Sequence, residues 1–382
     1  MPAVLELDLS DPTLVTDPFA AYGVARERGP VARLAGPGFG PLWVLTRHAE
    51  ARAMLTDPRF VLGEGTYQAL EVPEHCRPYL RTMQEMDGEP HARLRRLTTP
   101  AFAARRALEF RPRIERAVAL LLDQLPTREP FDLLTTFAQP LPMEVICELV
   151  GVRQADRPRW HEYGANVVRG SGAGFAAAVP GIIDGARDLV AQPESDLLRR
   201  LTGDAGLSEQ EAVALVWQLV LAGQTPANFL ANAVDALLSH PDQLALLRAE
   251  PRRWPNAVDE LMRWCGSQLL TIPRRATEDV ELSGVLVREG DQVTASIAAA
   301  NRDPRVFAEP DRLDVRRAAG AHLGFAAGPH FCLGASFARV QIEVALAALF
   351  ERFPALRVLE APRVPDPGTW RLASLRVAPS IE

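Results

Sequence analysis

The stretch from Ser208 to Ser239 constrains the fold more than any other. Ser208-Glu209-Gln210-Glu211 is a capping box, the pattern that opens a helix by satisfying its first free N–H groups. No strong helix stop follows until His240-Pro241. At 1.5 Å per residue such a helix runs about 45 Å. Its first half, Ala212 to Gly223, is apolar on most sides, so it must cross a large core. A chain of 382 residues with 47% hydrophobic content can bury one. That apolar run is too short to span a bilayer and contains Gln218. The middle is interrupted by Ala222-Gly223-Gln224-Thr225-Pro226. Inside a helix, Gly and Pro cost about 1 and 3 kcal/mol relative to Ala. Pro226 also removes an N–H and crowds the carbonyl of Ala222, which predicts a kink or widened groove.

A second stretch points to chemistry. Gly324-Phe325-Ala326-Ala327-Gly328-Pro329-His330-Phe331-Cys332-Leu333-Gly334 places one cysteine in a glycine-punctuated loop. The loop leads into an apolar helix from Ala335 to about Phe353, with Ala338, Ile342, Ala345 and Leu349 at helical spacing. Cys332 therefore sits at or just before a helix N-terminus, where free N–H groups and the helix dipole favour a thiolate. Gly328 and Gly334 suit a tight loop that a flat ligand can approach. On this loop alone, a thiolate metal ligand and a buried structural cysteine are both open readings.

Composition excludes several classes. A net charge of −6 gives no reason to expect nucleic acid or an anionic membrane as partner. The cysteines Cys76, Cys147, Cys265 and Cys332 are scattered without paired spacing, which argues against a disulfide framework or zinc site and for a reducing cytoplasm. The opening MPAVLELDLS has no apolar run with basic flanks, so neither a signal peptide nor a membrane anchor is expected. There is no repeat, phosphate loop or dinucleotide fingerprint.

The remaining elements read as follows. Residues 1–20 are an irregular lead-in, Ala20 to Glu27 a short helix, Pro41 to Leu45 a strand, and His48 to Thr56 a helix. Residues 61–85 form a long loop with a short helix. Pro90 is placed like a first-turn proline of a helix on which His91 and Arg95 share a face. Arg93, Arg96, Arg105 and Arg106 make this region locally basic. Helices follow at about 111–125 and 141–150. Residues 164–185, with Gly164, Gly170, Gly172, Gly174 and Gly181, have little to pack and are expected to move as a lid. A helix carries Glu260 and Arg263, three apart. Leu269 to about Ala298 is β-rich, with turns at Ser283-Gly284 and Glu289-Gly290.

Taken in order, these motifs resemble a cytochrome P-450, over nearly the whole chain. The cysteine loop matches Phe-x-x-Gly-x-His-x-Cys-x-Gly at Phe325, Gly328, His330, Cys332 and Gly334. Glu260 and Arg263 match Glu-x-x-Arg, with Arg317 as the third member of that ion network. His91 and Arg95 match His-x-x-x-Arg, and Arg274 to Asp279 match Arg-x-Ala-Thr-Glu-Asp. The resemblance implies a mainly α fold with smaller β-sheets, one domain over residues 1–382, and the long central helix crossing the core over the haem. It implies haem b (iron protoporphyrin IX) with Cys332 as iron ligand and metal-binding residue. His91, Arg95, Arg274 and His330 would hold the propionates, and Phe325 and Gly334 would shape the loop around the cofactor. Glu260, Arg263 and Arg317 would be a folding clamp.

One motif departs from the family. An acid followed by Thr usually comes after Ala-Gly and one residue, to relay protons. Here Thr225 stands at the acid position and Pro226 at the alcohol position. The resemblance to fatty-acid peroxygenases, which carry Arg-Pro there, is partial, since Arg is absent. Three outcomes stay open. One is an ordinary monooxygenase whose relay uses Gly223, Gln224, Thr225, water or a substrate hydroxyl. Another is an atypical reaction such as ring closure, coupling, desaturation or peroxide-driven oxidation. The third is a haem protein that binds a ligand without turnover. The implied partners are a hydrophobic small molecule, one of secondary metabolism by analogy, dioxygen, and a ferredoxin with its reductase. Arg93, Arg96, Arg105 and Arg106 would receive the ferredoxin. The expected substrate lining is residues 61–86, Val216, Leu219, Val220, Gly223, Ser267 to Ile272 and Leu372 to Leu375.

Overall fold

The computed structural model describes residues 4–36, 39–63, 71–168 and 173–379. Two compact units emerge from the packing. One comprises Met1–Gly63, Asn232–Cys332 and Ala361–Ala373, and the other Glu64–Ala231, Leu333–Glu360 and Ser374–Glu382.

The first unit is built on a six-stranded mixed sheet. Strands Val31–Gly36 and Phe39–Leu45 pair antiparallel, and Leu5–Asp8 adds parallel to the first. Gln292–Ala295 runs parallel to Phe39–Leu45, followed by Arg274–Ala276 and then Phe60–Leu62, both antiparallel. Alternation along the strands assigns their two faces. Val31, Leu45, Val293 and Ala295 pack with Ala51, Met54 and Leu55 of the helix His48–Thr56. Ala32, Leu34, Leu42 and Val44 pack on the other side with Tyr22 and Ala25 of the helix Pro18–Arg28. With both faces covered, the central strand Phe39–Leu45 carries no charged residue.

Residues 4–20 are ordered rather than irregular. They hold the strand Leu5–Asp8 and a short helix Pro12–Thr16, whose start is capped by the Asp11 carboxylate; the Asp17 carboxylate caps the start of the next helix, Pro18–Arg28. The strand exists because of its non-local partner, Val31–Gly36, which periodicity also missed. The expected hairpin turn is present. Ser283 and Gly284 have φ of 48° and 83°, the left-handed pair that a tight turn between Val280–Leu282 and Val285–Val287 requires.

The second unit is mostly helical. Ala104–Asp123 packs along Ala335–Arg352, with Phe102 edge-on to Phe337 and Arg111 paired to Glu343 at 2.9 Å. The predicted lid is instead two packed helices, Arg157–Val168 and Ala173–Ala191. Their glycines are where neighbours approach closely. A Cβ on Gly181 would lie 2.1 Å from Tyr163 Oη, and one on Gly185 2.9 Å from Trp160 Cζ2. Val179, Ile182 and Ile183 are fully buried. Gly170 and Gly172 lie outside the described residues, as do 64–70 of the expected long loop. The described part of that loop forms the short helical turns Glu74–Tyr79 and Met83–Glu85.

The long helix opens as expected. Ser208 Oγ accepts from Glu211 N at 3.2 Å, and Glu211 Oε2 accepts from Ser208 N at 2.9 Å. It is interrupted where Gly and Pro stand. One helix, Glu209–Ala222, ends, and Thr225–Ser239 begins, with Pro226 in its first turn. Across the break Ala227 N reaches back only three residues, to Gln224 O at 3.1 Å.

Candidate functional site

The cysteine loop is set by two backbone positions. Ala326 and Gly328 adopt φ of 59° and 72°. Cys332 N donates to Phe325 O at 2.9 Å and Phe331 N to Gly328 O at 3.0 Å, so the loop closes on itself. Gly328 serves the backbone rather than ligand approach. Besides its positive φ, a Cβ there would lie 2.6 Å from Leu55 O. Gly334 fits the ligand reading, since a Cβ there meets no atom within 4 Å. We expect Gly328→Ala to cost about 1–2 kcal/mol, read as a lower urea midpoint and faster haem loss. A midpoint equal to wild type would contradict that role.

Cys332 differs from the other cysteines. It is exposed, whereas Cys76, Cys147 and Cys265 are buried. Burial raises the Cys76 thiol above its ordinary value and pushes those of Cys147 and Cys265 up to about 12. Those three are poor thiolates, and Cys332 alone offers an accessible sulfur in a glycine-shaped loop leading to a helix N-terminus. These donors and this space fit a thiolate-ligated haem.

The loop is anchored to the helix Trp254–Cys265. Met262 of that helix packs on Gly324, where a Cβ would come within 2.5 Å of Met262 Cγ. His322 Nε2 lies 3.2 Å from Asp259 Oδ1, and His322 Nδ1 accepts from Gly324 N at 3.0 Å. Asn301 Oδ1 accepts from Leu323 N at 2.7 Å. Sequence reasoning missed Asp259, Asn301 and His322. The only available signal was Asp259 beside Glu260.

The same helix carries the ion network. Arg263 Nε donates to Glu260 Oε2 at 2.7 Å and Nη2 to Oε1 at 2.8 Å, with both side chains fully buried. Arg263 Nη1 also donates to Asn301 O at 2.9 Å and Pro310 O at 2.6 Å. Glu260 Oε1 further accepts from Arg317 Nε at 3.1 Å and Asp314 N at 3.0 Å. Every charge is met, which a buried pair needs.

The expected propionate cations fall in both units. In the cysteine-loop unit, Arg274 is buried on its strand and its Nη1 donates to Leu55 O at 3.0 Å, while His330 is half-buried in the short turn Gly328–His330. In the helical unit, His91 is buried and Arg95 half-buried on the helix Gly88–Thr98.

At the break in the long helix the structure separates the three relay candidates. Gln224 is buried, and its Nε2 lies 3.3 Å from where a Cβ on Gly164 would stand. It therefore points into the neighbouring helix Arg157–Val168, and no described residue bonds that Nε2. Gly223 is packed against Ile146. Thr225 and Pro226 are half-buried, and Ala222 is exposed. Of the three, Thr225 alone combines a proton-bearing side chain with partial exposure.

Two further expectations change. Of the expected lining, Val216, Val220, Leu372 and Leu375 are buried in the core, whereas Ile272 is exposed. The four arginines already have acidic partners. Arg93 pairs with Glu211, Arg96 with Glu89, and both Arg105 and Arg106 with Glu109. Arg106 first and Arg105 second hold the Glu109 carboxyl below its ordinary value.

Residues 187–375 match the family model described as cytochrome P450. The chain is 38% identical to the mycinamicin IV hydroxylase/epoxidase of Micromonospora griseorubida over 362 residues, 88% of each chain. It is 37% identical to the 6-deoxyerythronolide B hydroxylase of Saccharopolyspora erythraea over 392 residues, 96% of each. Among solved structures, epothilone D-bound cytochrome P450epoK superposes with a TM-score of 0.89 at 29% identity, covering 98% of this chain and 99% of that one. The LnmA cytochrome P450 hydroxylase of the leinamycin pathway of Streptomyces atroolivaceus is 37% identical with a TM-score of 0.82, covering 94% and 95%.

Proposed function

The chain belongs to the cytochrome P450 family, a haem-iron oxidoreductase of the monooxygenase type acting on a small molecule with dioxygen, and we propose the residue roles that follow. Cys332 ligates the iron of haem b. The observation that carries this is its accessible thiol in a loop tied to the Glu260–Arg263 helix. His91, Arg95, Arg274 and His330 neutralise the propionates, Phe325 backs the loop, and Gly334 leaves room for the ring. The chain works as one domain in the cytoplasm, on a hydrophobic substrate of secondary metabolism. A panel of such molecules, scored by the Soret shift from low to high spin, tests the substrate reading. No shift with any hydrophobic member would overturn it.

Bound there, the haem supplies dioxygen reduction and O–O cleavage, favoured by the thiolate's electron density. The protein's own contribution on the open face is proton handling. Pro226 has neither hydroxyl nor N–H to give. Thr225 Oγ1 can both donate and accept, so it passes the proton. Gln224 holds the break in place from the far side rather than relaying. We expect Thr225→Ala to lower the coupling of electron use to product by roughly tenfold or more. Unchanged coupling would remove Thr225 from the relay.

Pro226 also supports a second reading, in which the product forms by ring closure or coupling. One solved relative, CxnD, is described as a P450 for C–S bond formation; it is 30% identical with a TM-score of 0.84, covering 100% of this chain and 98% of that one. Isotopically labelled dioxygen separates the two readings, since only oxygen insertion leaves the label in the product.

Electrons come from a ferredoxin and its reductase. Because Glu109 offsets Arg105 and Arg106, Glu109→Gln is expected to speed reduction by an acidic ferredoxin several-fold at low salt. An unchanged or slower rate would exclude this face as the docking site.

A further inference from the structure

Behind the cysteine loop lies a histidine whose protonation state the geometry fixes. His322 stands two positions before Gly324, where the loop begins, and its side chain is 2% exposed. Its Nδ1 lies 3.0 Å from Gly324 N and its Nε2 3.2 Å from Asp259 Oδ1. A backbone N–H only donates, so Nδ1 is bare. An ionised carboxylate only accepts, so Nε2 carries the proton. Turning the ring over would set carbon atoms against both partners, so the two contacts together identify the nitrogens. His322 is a neutral imidazole in one tautomer, selected by Asp259 on one side and Gly324 on the other.

That tautomer bears on the ligand residue. The His322 ring packs 5.6 Å from the ring of Phe325, and the Phe325 carbonyl accepts the Cys332 N–H at 2.9 Å. A second proton on His322 would turn Nδ1 from acceptor to donor. It would then face the Gly324 N–H, leaving two buried donors without an acceptor between them. A neighbouring histidine lacks this property. His48 Nε2 lies 2.8 Å from the Ala321 carbonyl, which only accepts, so that bond survives protonation of the ring. Asp259 is the charged group that the His322 ring bonds, while Glu260 and Arg263 on the same helix meet each other. Along the loop itself the titratable groups are His330 and Cys332.

We propose that His322 is a positioning residue for Cys332. Its neutral, Nε2-protonated ring holds Gly324, and through Phe325 the Cys332 backbone, and acid releases the loop by protonating Nδ1. This rests on the reading of Cys332 as the haem ligand. The sign follows from the bond. A loop that needs Nδ1 bare is favoured while the ring is neutral, and that support is lost as pH falls and the ring takes its second proton.

Two variants separate the bond from the packing. In His322→Asn the amide oxygen can stand where Nδ1 stands, accepting from Gly324 N without titrating. His322→Phe keeps a ring against Phe325 and offers no acceptor. The Soret band of the reduced, carbon monoxide-bound holoprotein is followed between about pH 8 and 5, the range over which histidine charge changes. In wild type, the rate at which the band leaves the thiolate-haem position should rise roughly tenfold across that range, the factor for about one lost hydrogen bond. His322→Asn should hold the band at the alkaline end and remove most of that rise. His322→Phe should lose it there about as fast as acidified wild type. A wild-type rate independent of pH, or a rise in His322→Asn as steep as in wild type, overturns the proposal. Nuclear magnetic resonance of the same diamagnetic sample, isotopically labelled at the histidine nitrogens, reads the ring without reference to the haem band. At the alkaline end, one imidazole with bare Nδ1 and protonated Nε2 should vanish in His322→Asn. Finding that ring doubly protonated, or in the other tautomer, would also overturn the proposal. No thiolate-haem band in wild type at the alkaline end, with the tautomer as expected, would instead sink the haem-thiolate reading.

Discussion

Cys332→Ser is expected to abolish oxidation while leaving a folded protein that still takes up haem. Changes around a metal ligand alone typically cost 10–100-fold in affinity or activity, so removing the ligand should cost more than about 10²-fold. Serine keeps the loop's size and its backbone bonds, because the Cys332 N–H to Phe325 O bond does not involve the side chain. What it removes is the accessible thiolate. The reduced carbon monoxide spectrum should therefore leave the thiolate-haem position. Cys265→Ala is the control. Cys265 is buried with its thiol pushed up to about 12, so its loss should alter stability but not the spectrum. A Cys332→Ser enzyme that kept both the band and the activity would remove Cys332 as ligand.

The second large effect lies behind the loop. Arg263→Ala should cost about 3–5 kcal/mol, because it strands the buried Glu260 carboxylate and leaves the carbonyls of Asn301 and Pro310 without their donor. Against a total stability of about 5–15 kcal/mol this is a large fraction. Arg263→Lys should rescue little, since an ammonium cannot reproduce the planar fork that spans Glu260 and those carbonyls. The double variant Glu260→Gln/Arg263→Met should be less damaging than Arg263→Ala alone, since no charge is left unpaired. Urea unfolding with haem release as a second probe measures all of these. If Arg263→Ala matched wild type, or the double variant were the worse of the two, the clamp would be a passive feature.

What the sequence made legible follows from locality. The capping box at Ser208, the left-handed turn at Ser283-Gly284 and the Glu260–Arg263 pair each depend on residues within four positions of one another, so their chemistry is complete in the string. The helix break at Gly223–Pro226 was readable for the same reason. The strand Leu5–Asp8 was not, because it is a strand only by pairing with Val31–Gly36. Gly181 and Gly185 looked like flexibility and are close-packing points, since what a glycine is for depends on the neighbour that fills the space. The basic cluster looked like bare positive charge, whereas Glu211 and Glu109 sit beside it and offset part of that charge. Gln224 looked like a relay because register gives spacing and not facing; its side chain turns toward Gly164. Of the site, Cys332 was singled out by its loop, whereas Asp259, Asn301 and His322, which hold that loop, carried no motif.

The central claim is a haem held by the Cys332 thiolate. The reduced carbon monoxide difference spectrum of the purified, haem-loaded wild-type protein tests it most directly. A band at the thiolate-haem position, lost in Cys332→Ser, is the predicted result. A band at the position of a histidine-ligated haem in freshly prepared wild type, unchanged by Cys332→Ser, would contradict it.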